Sequence, residues 1–315
     1  MSGQAVFTIS LDCEGLWGMA DKPDVLGAGV ITNAALDEAY EFLAQALQQR
    51  GLRCTAAFVT AFAAGREALH GQLPLLEALD RQAPGWLTHV LARLKSGRRE
   101  QIDGLDGNIP FEKMRIAGHE MAWHGATHLP LVDATPAAAV KLEVELAEAL
   151  FGAMGARPTT IVFPRNRVGS LDLLGAAGFT CYRSGREANA FSRATGLLRE
   201  MNIWDRGSDE LPALSGEWCV CPAGAFLNWP SGARAAVPLA ITVKRWHSML
   251  RAAADKGGHV HLWFHPHNLI TAPPMKASLL QILDFVETLV KSGDMVNLTM
   301  GELASGCAGG IVNAN

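Results

Sequence analysis

The chain is expected to fold as an α/β protein built on a parallel sheet, open or closed into a barrel. Apolar strand-like runs alternate with helix-like patterns from one end to the other, and five or more such units are joined by short turns. At 315 residues the chain has the length for one large domain or two ordinary ones, and α/β barrels use ~200–250 residues or more in one unit. No internal repeat, low-complexity tract or linker divides it, so 1–315 is read as one catalytic-sized unit. Hydrophobic residues make up 49% and the formal charge is only -4, which argues against disorder and against broad attraction to nucleic acid. A small or neutral molecule is the expected partner.

The elements follow in order. Residues 5–11 (AVFTISL) read as a buried strand, and Asn33 is placed to cap a helix over 34–49 that Gly51 stops. Residues 54–59 read as a second strand. The segment 85–115 is irregular: 86–94 has helical spacing, 95–100 is a charged loop containing glycine, and the region is read as an insertion. A strand over 119–123 leads to a helix with Thr135 as N-cap and Pro136 at its first position. Short strands over 160–163 and 179–182 flank a helix over 170–177 ended by Gly178. Residues 184–216 lack pattern and are read as a second insertion, anchored by Leu197, Leu198, Ile203 and Trp204. Strands over 218–221, 259–264 and 295–298 alternate with helices over 241–254 and 275–291.

No basic region followed by an apolar core opens the chain, and no run reaches the ~18 apolar residues of a membrane span, so a soluble cytoplasmic protein is expected. The six cysteines are scattered, with no CxxC pair, and are read as buried reduced thiols; Cys219 and Cys221 would face the same way on a strand.

In such folds chemistry sits at the carboxyl ends of strands. After the first strand come Asp12, Cys13 and Glu14, whose two carboxylates share one side if the chain stays extended. After the strand over 119–123 come His124 and His128, a spacing that lets two imidazoles meet one cation on a helix face or in a tight turn. After 160–163 comes Pro164-Arg165-Asn166-Arg167, a guanidinium placed to orient a carboxylate. After 259–264 comes His265, on the same strand face as His261 and Trp263. Each group alone has a common structural use. Four strand ends together point to a site.

The segment from Gly118 to Leu131, GHEMAWHGATHLPL, resembles the second motif of the polysaccharide deacetylase family, the NodB-homology carbohydrate esterases. Ser10-Leu11-Asp12-Cys13-Glu14 is similar to its first motif, Phe163-Pro164-Arg165 stands at its arginine motif, and Leu262-Trp263-Phe264-His265 resembles its last. The resemblance covers about residues 5 to 300. It implies a distorted (β/α) barrel of about seven strands and hydrolysis of an N-acetyl or N-formyl group from an amino sugar. It also implies a divalent metal, zinc first with cobalt or nickel as alternatives, on Glu14, His124 and His128. Asp12 would be the base, Arg165 (or Arg167) its orienting partner and His265 the acid. Three departures stand out: Cys13 replaces the second Asp of the first motif, which leaves a Cys13 thiolate as an alternative ligand, Gly125 replaces a Ser or Thr, and the arginine motif is rearranged.

Trp17, Trp123 and Trp263 lie beside the motifs and either pack the core or wall the acyl pocket, which bulky Trp123, Trp263 and Phe264 would narrow. The expected substrate is a nucleotide- or lipid-linked precursor of a surface polysaccharide. Rival readings are a hydrolase of a non-sugar amide, as in allantoinase-like relatives, and a non-catalytic carbohydrate binder.

Overall fold

The computed structural model describes residues 4–26, 28–98, 103–185, 198–208 and 210–308. Its strands are β1 (Ala5–Cys13), β2 (Thr55–Phe58), β3 (Glu120–Trp123), β4 (Thr160–Val162), β5 (Cys181–Arg183), β6 (Ala213–Ser215), β7 (Trp218–Cys221), β8 (Ala225–Phe226), β9 (His259–Phe264) and β10 (Met295–Asn297). They form one sheet in the order β6-β7-β5-β4-β3-β2-β1-β9-β8, with β10 paired to β1 off that path. Every pairing is parallel except β6 with β7. The sheet curls as a half-barrel whose path ends on β6 and β8 without closing. The distorted α/β barrel is therefore present, with ten strands among the described residues where about seven were expected.

β6 and β8 are the strands that sequence reading missed. β6 is exposed along its whole length and meets β7 through a turn containing Gly216 at φ 62°, so it carries no buried alternation. β8 is two residues long.

β1 pairs with three strands, and its side chains are buried on both faces, Phe7, Ile9 and Leu11 on one and Thr8 and Ser10 on the other. β9 runs along Val6–Leu11 on one side of it, while β10 takes Ala5–Phe7 and β2 takes Ser10–Cys13 on the other. Its carboxyl end therefore emerges inside the curl.

The helix Asn33–Gln48 starts one residue earlier than expected. Thr32 is its N-cap, accepting from the Ala35 amide at 3.1 Å, while Asn33 accepts instead from the Gly104 amide at 2.7 Å and so ties down the segment read as an insertion. That segment contains the helices Thr88–Ser96 and Asn108–Ile116. The helix Ala137–Ala153 is capped at Pro136, and the Thr135 hydroxyl donates to the Pro130 carbonyl at 2.7 Å rather than capping. The helix Met275–Lys291 has the expected bounds, and Leu239–Lys256 extends the expected one at both ends. In the second expected insertion, 186–197 with Leu197 lies outside the described residues. Leu198 and Trp204 do not anchor it, being 72% and 78% exposed. Among the described residues no helix is long and apolar enough to cross a membrane.

The outer sheet face carries the large core. The inner face is lined by small and polar side chains, and the helix Met300–Ala308 covers one part of it. Gly224, just before β8, has φ +66°, and a Cβ there would run into the backbone oxygen and side chain of His261. Gly224→Ala is expected to lower stability by more than about 1 kcal/mol, read as an earlier midpoint in urea unfolding with an unchanged slope.

Candidate active site

Glu14 follows β1 directly and turns its carboxylate toward the loop after β3, packing against Gly18, where a Cβ would collide with Glu14 Oε1. His124 and His128 lie on that loop rather than on a helix. His124 Nδ1 is 2.7 Å from the Val162 carbonyl, an atom that only accepts, so Nδ1 carries the proton and Nε2 presents its lone pair. That lone pair faces Glu14 Oε2 at 3.3 Å, and His128 Nε2 lies 2.8 Å from the same oxygen. One atom from each of the three lies within 4.8 Å of the others. Two acceptors turned toward one point are stabilised by a cation between them. Ligand distances of about 2.0–2.2 Å place tetrahedral neighbours about 3.3 Å apart, so the donor set fits a borderline divalent ion.

Burial opposes ionisation of Glu14, yet His128, His265 and His124 outweigh it and hold the carboxyl well below its usual range. Burial would likewise lower His124, but Glu14 and Asp12 overturn it and the net shift is upward. For His128 burial wins and the shift is downward.

The loop itself is held in a strained shape. His128 has φ 65° and Gly125 φ 78°, and a Cβ at Gly125 would press on Pro164. Here a glycine is required where the resemblance would place Ser or Thr. Glu143, buried on the helix Ala137–Ala153, accepts from the amides of Ala126 at 2.6 Å and Thr127 at 3.2 Å and from the Thr127 hydroxyl. Burial pushes the Glu143 carboxyl up to about 7 despite those bonds.

Asp12 is 2% exposed and accepts a bidentate pair from Arg183, Nη1 to Oδ1 at 2.8 Å and Nη2 to Oδ2 at 2.8 Å. Burial would raise Asp12; Arg183 first, then His124, lower it on balance. This corrects the expected partner. Arg165 lies at the cleft rim, donating to Asp21 at 2.6 Å and stacked 4.8 Å from the Trp86 ring. Its backbone stands in the left-handed region at φ 57°. The arginine motif contributes Asn166 instead, which accepts from Arg183 at 2.6 Å. Arg183 is the residue that sequence reading missed. It directly follows the expected strand over 179–182, so the strand-end rule marks it once that strand is extended by one residue.

Below the ion pair the contacts continue. Arg183 Nη1 also donates to Ser10 Oγ at 2.9 Å. His261 Nδ1 donates to the Pro222 carbonyl at 2.9 Å, so its Nε2 is the acceptor for the Ser10 hydroxyl at 2.8 Å. His261 is thus structural. Cys13 is no ligand: it packs on the other side of β1, against Tyr40, and burial drives its thiol well above the ordinary value.

His265 Nε2 stands 3.9 Å from Asp12 Oδ2 and 3.7 Å from Glu14 Oε1, and the ring is 25% exposed. Asp12, Glu14, His124, His128, Arg165, Asn166, His265, Gly18 and Lys22 line a cleft of about 260 Å³. A larger cleft of about 510 Å³ beside Phe151 and Phe179 lacks such convergent groups. Trp17 and Trp123 are fully buried and donate to Leu105 O and Thr60 Oγ1, so they pack the core, as does Phe264; only Trp263, beside His265, remains near the cleft.

No protein-family model matches the chain, and no curated protein matches its sequence significantly. Solved structures do share its fold. A structure described as a polysaccharide deacetylase from Mycobacterium smegmatis superposes with a TM-score of 0.65 at 16% identity, over 100% of this chain and 94% of that one. Another, described as a polysaccharide deacetylase from Pseudomonas aeruginosa PAO1, gives 0.53 at 14% identity, over 96% and 90%. The chain has the NodB-homology fold of polysaccharide deacetylases.

Arg183→Met is expected to cost about 3–5 kcal/mol, since it strands a buried carboxylate. Arg165→Met, which breaks a partly exposed pair, should cost under about 1 kcal/mol. Urea unfolding of the two variants in parallel checks the assignment, and equal losses would contradict it.

Proposed function

We propose that the chain is a metal-dependent amidohydrolase that removes an N-acetyl or N-formyl group from an amino sugar. The observation carrying this reading is the convergence of Glu14, His124 and His128 next to an Asp12 that is held ionised and a partly exposed His265. Glu14, His124 and His128 would hold the cation, zinc by preference given two imidazoles and a carboxylate, with cobalt or nickel able to use the same set. When bound, that ion lowers the pKa of a water and polarises the acyl oxygen.

The protein's own groups do the rest. Asp12 takes a proton from the attacking water, with its carboxylate locked in orientation by Arg183. His265 gives a proton to the amide nitrogen as its bond to the acyl carbon breaks, so that the products are a carboxylate and a free amine. Arg165 contributes at the rim and not at the base. Its charge is offset by Asp21, and exposed Lys22 beside that pair leaves net positive charge on the cleft wall, which suits a phosphate-bearing substrate such as a nucleotide- or lipid-linked sugar precursor.

The test is release of acetate or formate from N-acetyl and N-formyl amino sugars, free and nucleotide-linked, by zinc-loaded and chelator-treated protein. Hydrolysis that chelation abolishes and zinc restores supports the proposal, and no release from any substrate refutes it. His124→Ala is expected to lose metal and activity together. Asp12→Asn should keep the metal and lose about 10²–10⁴-fold in turnover; equal metal loss in both would move Asp12 into the ligand set.

A further inference from the structure

A second cluster of metal-ligating side chains lies on the inner face of the sheet, away from the cleft. Cys181 on β5 and Cys219 on β7 are direct partners in the parallel register, and Cys221 follows two residues on, where its side chain returns to the same face. Their three sulfur atoms lie within 4.8 Å of one another. Cys307, on the helix that covers this face, brings a fourth sulfur to 3.3 Å from Cys219, and Cys181 and Cys221 are 3.7 Å apart. All four are buried, at 0%, 2%, 0% and 7% exposure for Cys181, Cys219, Cys221 and Cys307.

We infer that Cys181, Cys219, Cys221 and Cys307 form a structural thiolate site for one soft divalent cation, zinc by preference. Zinc–sulfur bonds of about 2.3 Å put the sulfurs of a tetrahedron about 3.8 Å apart; Cys181, Cys219 and Cys221 approach that spacing, whereas Cys307, though 3.3 Å from Cys219, stands outside the set in which every sulfur lies within 4.8 Å of the others, so its side chain would turn inward to complete the shell. The cysteines' neighbours Ala57, Ala122, Val162, Met300 and Leu303 are small or apolar and close the cluster from water, as a structural site requires and a catalytic one does not. The cation would clip the helix Met300–Ala308 to β5 and β7. It replaces the thiol protons, so each metal bound releases protons to solvent and binding weakens as pH falls.

The full-length protein, reduced and then loaded with zinc chloride alone, tests this by X-ray absorption and metal analysis. Because the cleft offers nitrogen and oxygen ligands, the measurement is made on His124→Ala/His128→Ala protein. About one zinc per chain with an all-sulfur shell near about 2.3 Å is expected. Loss of that zinc in Cys219→Ser/Cys221→Ser, with the remaining cysteines titrating as free thiols, would complete the assignment. If the serine variant fails to fold, the sulfur shell of the parent protein still decides. Zinc absent from the His124→Ala/His128→Ala protein, a shell of nitrogen and oxygen only, or an intact mass showing a Cys219–Cys307 disulfide would each overturn the inference. None of these outcomes depends on whether the cleft hydrolyses anything.

Discussion

The buried pair of Asp12 and Arg183 is the constraint on which the site depends. In sheet order β5 is four strands from β1, about 19 Å away in a flat sheet. Their end residues nevertheless meet at 2.8 Å. Only the curl of the sheet permits this, so the ion pair is in effect a tie across the mouth of the half-barrel. Burying two charges costs several kcal/mol each unless the remaining donors are satisfied. Arg183 meets that condition with four hydrogen bonds, to both Asp12 oxygens, Ser10 and Asn166, and its guanidinium lies 4.4 Å from the Trp263 ring. The chain of contacts then runs through His261 to Pro222, joining β1, β5, β9 and the loop before β8.

That tie explains how two carboxylates two residues apart come to differ in their surroundings. Asp12 is neutralised by a fixed guanidinium and is turned into an ionised, oriented acceptor. The partners that hold Glu14 low are imidazoles, groups that can lose their protons and leave the carboxylate as part of a cation-seeking set. His128 at φ 65° and Gly125 at φ 78° show where the loop is forced to deliver both imidazoles to one point. Glu143 holds that shape from behind.

Much of this was legible in the chain because it depends on short-range rules. The apolar run of β1 followed by Asp12 and Glu14 and the spacing of His124 and His128 each follow from local pattern, as do the bounds of Met275–Lys291. What was hidden depends on three-dimensional closure. Arg183 becomes the partner of Asp12 only when β5 curls opposite β1, a fact no local window contains. The capping role went to Thr32 because Asn33 is drawn into a contact with Gly104, seventy-one residues away. The exposed β6 and two-residue β8 lack the alternation that marks a strand. Trp123 sits beside the motifs yet faces the core, since adjacent residues on a strand point to opposite sides, and Trp17 is buried from the short helical turn Gly15–Met19.

The same alternation stacks two layers on the inner face of the sheet. Arg183 and Cys221 are register partners, and Cys181 is paired with Cys219 one pleat lower. The guanidinium that orients Asp12 therefore shares β5 and β7 with the thiol cluster, level with Cys221 and about 6.6 Å along the strand from Cys181 and Cys219. A cation fixing Cys181, Cys219, Cys221 and Cys307 would hold these short strands in register where they have few ladder bonds of their own. Any slip of β5 by one residue would turn Arg183 to the outer face and leave Asp12 buried without its partner. The thiol layer would act on the chemistry above it through this register, without touching substrate.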